Sequence, residues 1–138
     1  MRRGAAAFLA AALLGAVAGC GDDHLCDICD LSARVVGTVR GEGGTVPNAL
    51  VRLTPLYGAQ PVVPGARDTV RVSTDGAGRF DATVVGVSIL GPDGIEVRID
   101  PPPTEGLASL VDTIPASFAP PWDDPPVLRR DFVLLQLR

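Results

Sequence analysis

All three cysteines of this 138-residue chain, Cys20, Cys26 and Cys29, and its one histidine, His24, fall in a single stretch, "AVAGCGDDHLCDICD" at 16–30. Thiolates and imidazole ligate metals, carry redox chemistry and act as nucleophiles, so the side chains most able to do chemistry are concentrated here. A cysteine is also a point of covalent attachment. Which role each residue has depends on what surrounds the cluster.

On its N-terminal side stands "MRRGAAAFLAAALLGAVAGC". Arg2 and Arg3 make a charged start, residues 5–18 are apolar, and small residues precede Cys20, which is the make-up of a secretory signal. The apolar run falls short of the about 20 residues that a membrane-spanning helix needs. The ending Val17-Ala18-Gly19-Cys20 resembles the lipobox of bacterial lipoproteins, with Val17 where leucine is usual. That resemblance implies cleavage after residue 19, lipid on the Cys20 thiol and an acylated amino terminus. Two or three acyl chains anchor stably, at about 0.8 kcal/mol per buried methylene, where one chain holds only reversibly. The expected address is a bacterial cell envelope, lipid-anchored to the periplasmic or cell-surface face of a membrane.

Residues 20–33 read as an acidic tether with no sustained period. In an exported protein Cys26 and Cys29 are placed to form a disulfide. Closing so small a loop contributes about 2 kcal/mol, enough to stiffen the tether but not to hold up a fold. A metal site of His24, Cys26 and Cys29 is the alternative, and it wants a fourth ligand once Cys20 is a thioether. A redox pair of thioredoxin type would need a helix N-terminus in a βαβ unit, and no such pattern follows. No cofactor beyond the covalent lipid is expected.

The rest of the chain offers few catalytic groups. With the one histidine in the tether, no Ser-His-Asp or Cys-His pair can assemble in the body. Glu42, Glu96 and Glu105 are scattered, and the adjacent Asp123 and Asp124 sit in a proline-flanked loop, where neighbouring carboxylates rarely converge on one scissile bond. Calcium among Asp112, Asp123 and Asp124 lacks the spacing of a carboxylate loop. A formal charge of −4 speaks against nucleic acid, which needs a basic surface. Every basic residue is arginine, and no mechanism is attached to that.

The elements that would position any site are strands. "RVVGTVR" (34–40) puts Val35, Gly37 and Val39 on one face, and "NALVRLT" (48–54) aligns Ala49, Val51 and Leu53. "RFDATVV" (79–85) aligns Phe80, Ala82 and Val84, and "IEVRID" (95–100) aligns Ile95, Val97 and Ile99. Such period-two alternation predicts half-buried strands, with further strands at 69–73 and 129–137. "TDGAG" (74–78) and "GPDG" (91–94) are turn punctuation, the latter predicting a hairpin between a strand ending near Leu90 and one starting at Ile95. The expectation is an all-β, single antiparallel sandwich of about seven strands over 34–138.

"VVGTVR" (35–40), "VPNALVRL" (46–53), "STDGAGRF" (73–80) and "DFVLLQL" (131–137) resemble the carboxypeptidase regulatory-like domain. The resemblance rests on Gly37 and Val39, on Pro47, Ala49, Val51 and Leu53, and on Thr74, Asp75, Gly78 and Phe80. It implies a prealbumin-like β-sandwich. The chain departs from that family in lacking its Pro-Gly-x-Tyr turn and in carrying a long proline-rich stretch at 101–127.

Two features mark a candidate binding surface. The last strand is apolar on both faces, so the stretch at 101–127 is expected to fold back over one of them with Phe118 and Trp122, or else a partner covers it. Trp122 itself, beside Asp123 and Asp124, is a candidate contact for an envelope protein or glycan. The function expected from the sequence is a noncatalytic binding or scaffold module displayed at a membrane surface. A metal-binding or redox tether through His24, Cys26 and Cys29 is the alternative, and a hydrolase of envelope glycans a more distant one.

Overall fold

The structure, a computed structural model, describes residues 30–58, 69–87 and 91–138. Cys20, His24, Cys26 and Cys29, the signal and most of the tether lie outside the described residues. Among those described, eight strands form two facing sheets: β1 (Asp30–Gly41), β2 (Gly44–Thr45), β3 (Leu50–Leu56), β4 (Val70–Ser73), β5 (Arg79–Val87), β6 (Gly94–Asp100), β7 (Leu110–Pro115) and β8 (Val127–Val133). One sheet has β1 at its centre, flanked by β5 and β8, with the short β2 on the end of β1. The other runs β4-β3-β6-β7. The all-β sandwich expected from the alternation is the architecture observed.

The alternation works as a burial code. Val35, Val39, Ala49, Val51, Leu53, Val84, Ile95, Val97 and Ile99 are all fully buried between the sheets, and Phe80 and Phe132 join them. Burying a Val, Leu or Ile side chain stabilises by about 1.5–3 kcal/mol, so this set supplies the main driving force. Gly37 is the exception on the inner face of β1, and its reason is steric. A Cβ there would lie 2.6 Å from the Phe80 ring and from the Arg130 carbonyl oxygen. The missing side chain lets Phe80 cross over β1 and meet Phe132, ring centroids 6.1 Å apart.

The crossing from β4 in one sheet to β5 in the other is held by the Thr74–Phe80 segment. Thr74, 3% exposed, donates its hydroxyl to the Val46 carbonyl at 2.7 Å and accepts from the Ala49 amide at 2.9 Å. The Asp75 carboxylate accepts from the Ala77 and Arg79 amides, both at 2.9 Å. Those amides, Arg79's first, hold its carboxyl below the usual carboxylate range, because hydrogen bonds to the charged form favour it. Gly78 adopts a φ of 71°, and any Cβ there would press on the Val39 carbonyl at 2.6 Å.

Four expectations change. The hairpin at "GPDG" does not form: β5 pairs with β1 while β6 pairs with β3 and β7, so the connection passes between sheets. Turn residues mark where a chain reverses but not which strand it meets. The sandwich is not wholly antiparallel, since β8 runs parallel to β1 from Arg34↔Val127 to Arg40↔Val133. β1 also begins at Asp30 inside the expected tether, with Ala33 fully buried and paired to Val84.

The proline-rich stretch is the fourth. Its Ala119 bridges to Ser32 at the start of β1, and Phe118 packs against the core. It does not cover the outward face of the chain end: Val133, Leu135 and Leu137 remain 62%, 73% and 61% exposed. Instead residues 134–137 pair with the segment after the short 3-10 helix Pro103–Glu105, through Ala108 N to Leu135 O at 2.8 Å and Leu137 N to Gly106 O at 2.9 Å. Backbone pairing, which any sequence satisfies, sets the path here and leaves these apolar side chains outside.

Candidate functional site

Neighbouring residues in register point to the same face of a sheet, so the pairing of β5, β1 and β8 defines what its outer face presents. Thr38 lies between Arg79 and Asp131, and the next row has Val36 between Asp81 and Arg129. One row further, Arg34 lies between Thr83 and Val127. Arg34 reaches diagonally to Asp81 with both arms of its guanidinium, Nε to Oδ1 at 2.8 Å and Nη2 to Oδ2. This bidentate pair holds the Asp81 carboxyl below its usual range, the Arg129 charge adding to the effect, and raises Arg34 in turn.

Between these rows lies a groove of about 410 Å3, lined by Val36, Gly37, Thr38, Arg79, Arg129, Arg130 and Asp131. Its floor is the apolar Val36, and its walls are charged. Arg79 and Arg129 make no salt bridge among the described residues, whereas Arg130 turns toward Asp112 of the other sheet at 3.4 Å. The groove thus presents two guanidinium forks, one hydroxyl and one carboxylate around an apolar floor. Arginine forks match the oxygens of carboxylates and other oxyanions, and Asp131 accepts a hydrogen bond from a ligand hydroxyl. A second recess, about 350 Å3 and more apolar, lies on the other sheet where Gly94 leaves a gap between Leu56 and Pro115, with Asp93 at its edge.

The residues singled out from the sequence do not converge on either site. Asp123 and Asp124 are exposed in a turn closed by Asp123 N to Pro120 O at 3.0 Å. Trp122 is 47% exposed in that same turn, and Phe118 is taken up in packing rather than in a binding surface. Asp112 is engaged by Arg130 and by the Thr113 amide, and no group of three His, Cys, Asp or Glu able to hold a metal occurs among the described residues. The groove residues went unremarked in the sequence because each is an ordinary outward position of an alternating strand. The available signal was that Arg79, Asp81, Arg129 and Asp131 are charged at matching places on two separate strands.

No known family profile matches the chain, and neither does any curated protein. Solved structures do. A 3-chlorocatechol 1,2-dioxygenase from Rhodococcus opacus superposes with a TM-score of 0.53 at 15% identity, over 78% of this chain and 61% of that one. A catechol 1,2-dioxygenase from an Acinetobacter species superposes with a TM-score of 0.55 at 14% identity, over 86% and 55%. A chlorocatechol 1,2-dioxygenase from Pseudomonas putida gives 0.53 at 15%, over 76% and 60%. At such identity the likeness is one of fold, and the chain spans about three fifths of the length of these enzymes or less. It corrects the expectation of a noncatalytic scaffold: that inference treated a sandwich without a body histidine as a display module, yet this sandwich recurs in enzymes.

Proposed function

We propose that the chain is an enzyme-type sandwich whose substrate groove lies on the outer face of β5, β1 and β8 and takes a small anionic ring compound bearing a hydroxyl. The observation that carries the reading is the groove itself, with Arg79 and Arg129 free of salt bridges among the described residues above an apolar Val36 floor. The two guanidiniums stabilise an anionic oxygen, Asp131 accepts from a remaining hydroxyl, and Thr38 donates or accepts between them. The catechols in the names of the fold neighbours share this pattern of ring and adjacent oxygens, which supports the choice of ligand class.

The test uses 4-nitrocatechol, whose colour reports its own ionisation. Two nearby cations favour the ionised form, so the bound compound is expected to ionise at lower pH than in free solution. Arg129→Gln removes the shift, and Asp131→Asn weakens binding. An absence of saturable change, or a change that survives Arg129→Gln, overturns the reading.

The address forms part of the same proposal. Lipid on Cys20 holds the domain at the surface of a bacterial envelope membrane, with Cys26 and Cys29 paired in the tether; the signal-like residues 1–19 and the lipobox-like Val17–Cys20 sequence support it. Cys20→Ala moves the chain to the soluble fraction, and an uncleaved, membrane-bound variant overturns the address. Kinship with the carboxypeptidase regulatory-like domain is supported by the Thr74, Asp75, Gly78 and Phe80 turn.

A further inference from the structure

The outer face of the other sheet carries a different arrangement. Arg52 on β3 is in direct register with Arg71 on β4 and with Arg98 on β6, so three guanidiniums lie in one row across three strands. Like charges directly opposite on neighbouring strands destabilise a sheet. In a chain of formal charge −4 nothing in the overall composition demands such a row. Its neutralisation among the described residues is incomplete. Asp100 serves two of the arginines at long range, Arg52 Nη2 at 3.4 Å and Arg98 Nε at 3.8 Å, while one of its oxygens is already taken by the Ser109 hydroxyl at 2.8 Å.

A second described acid does not help. Glu96 stands diagonal to Arg52 and two positions from Arg98 on β6, and it makes no salt bridge among the described residues. On the same side the Thr54 and Thr69 hydroxyls bond each other at 3.0 Å. Arg71 makes no salt bridge among the described residues either, and Arg52 Nε is buried with no hydrogen-bond partner. A buried N–H of a charged group left unmatched is costly, so Arg52 is poorly satisfied from within the described residues, and an oxyanion seated on the exposed ends of the row relieves the repulsion.

We infer that the Arg71–Arg52–Arg98 row is a binding site for a phosphate-type oxyanion, separate from the groove on the opposite face. The three forks line an open sheet surface, which suits a tetrahedral group presented from outside rather than an enclosed small molecule. Free phosphate esters and phospholipid headgroups share this chemistry.

The experiment follows the melting temperature of the full chain at matched ionic strength. A ligand that binds only the folded state raises it, so inorganic phosphate is expected to add about 3 °C over chloride. Arg71→Gln with Arg98→Gln abolishes that increment yet leaves the melting temperature in chloride unchanged or higher, because the repulsion is relieved. A merely structural role for these arginines would lower it in both salts. Arg129→Gln keeps the increment, which separates this site from the proposed substrate groove. Short-chain phosphatidylglycerol, compared with inorganic phosphate and with short-chain phosphatidylcholine, distinguishes the sources. A larger increment with the glycerol lipid assigns the headgroup, and an equal one assigns the free ester. No increment with any phosphate compound, or one that persists in the double variant, overturns the inference.

Discussion

The two outer faces of this sandwich are built from the same side chains and reach opposite electrostatic outcomes. Across β5, β1 and β8 no arginine is in register with another: Arg79 and Asp131 flank Thr38, Asp81 and Arg129 flank Val36, and Arg34 and Asp81 close a bidentate pair on the diagonal. Across β4, β3 and β6 arginine meets arginine, with Asp100 as a distant counter-charge. Composition is blind to the difference, because it arises from register. A two-residue slip of one strand would preserve every buried position and rearrange every outward pair. One face therefore closes a single ion pair and holds Arg79, Arg129 and Asp131 around a groove, while the other stacks arginines whose charge is only partly matched among the described residues.

The largest expected effect removes the frame on which the first face is built. Gly37→Val places atoms where the Phe80 ring and the Arg130 carbonyl already lie, and overpacking of this kind costs about 3 kcal/mol. It forces β1 and β8 apart beneath the groove, so ligand binding there should fall along with the midpoint of chemical unfolding. A smaller effect is expected where the chain crosses from one face to the other. Thr74→Val strands the Ala49 amide and the Val46 carbonyl, at about 2 kcal/mol. Unfolding in urea measures it, and a cost near zero would mean that the crossing is held elsewhere.

Charge reversals then test the contrast directly. Arg71→Glu converts the repulsive row into an attractive one and is expected to stabilise by about 0.5 kcal/mol. Arg129→Glu puts an acid across Val36 from Asp81, in place of the arginine whose charge favours the Asp81 carboxylate, and is expected to destabilise by about 0.3 kcal/mol. Equal signs for the two substitutions would show that register does not govern these faces.

The smallest effect is a matter of pH. Asp75 and Asp81 both have carboxyls depressed in the folded state, Asp75 by backbone amides and Asp81 by Arg34. A depressed carboxyl contributes stability that is fully present above the unfolded value, about 3.9, and is lost as pH falls through the folded one. Acid unfolding curves should therefore lose part of their slope below about pH 4 in Asp75→Asn and in Asp81→Asn. The loss in Asp81→Asn should be smaller at high salt, since an exposed ion pair is screened, whereas the amide-bound Asp75 should respond less.

Much of the fold was legible because period-two alternation is a local property. Val35, Val39, Ala49, Val51, Leu53, Phe80, Ala82, Val84, Ile95, Val97 and Ile99 all lie in the core, as their spacing requires. The Asp75 turn could also be read, since its hydrogen bonds join residues only a few positions apart. The candidate site was not legible in the same way. Trp122, Asp123 and Asp124 drew notice by rarity and adjacency, and the structure leaves them together in one exposed turn. Arg79 and Arg129, fifty positions apart in the chain, come to one groove only because β5 and β8 flank the same strand.

By itself, then, the sequence determined which side chains leave water and where the chain must bend, since both follow from short-range periodicity and turn chemistry. The tertiary structure alone decided which strands meet. It sent the chain from β5 to the opposite sheet at "GPDG", laid β8 parallel to β1, and kept the arginines out of register with one another on one face while stacking them in register on the other. Pairing partner and register are settled by the packing of two whole inner faces against each other, a balance that no local segment contains.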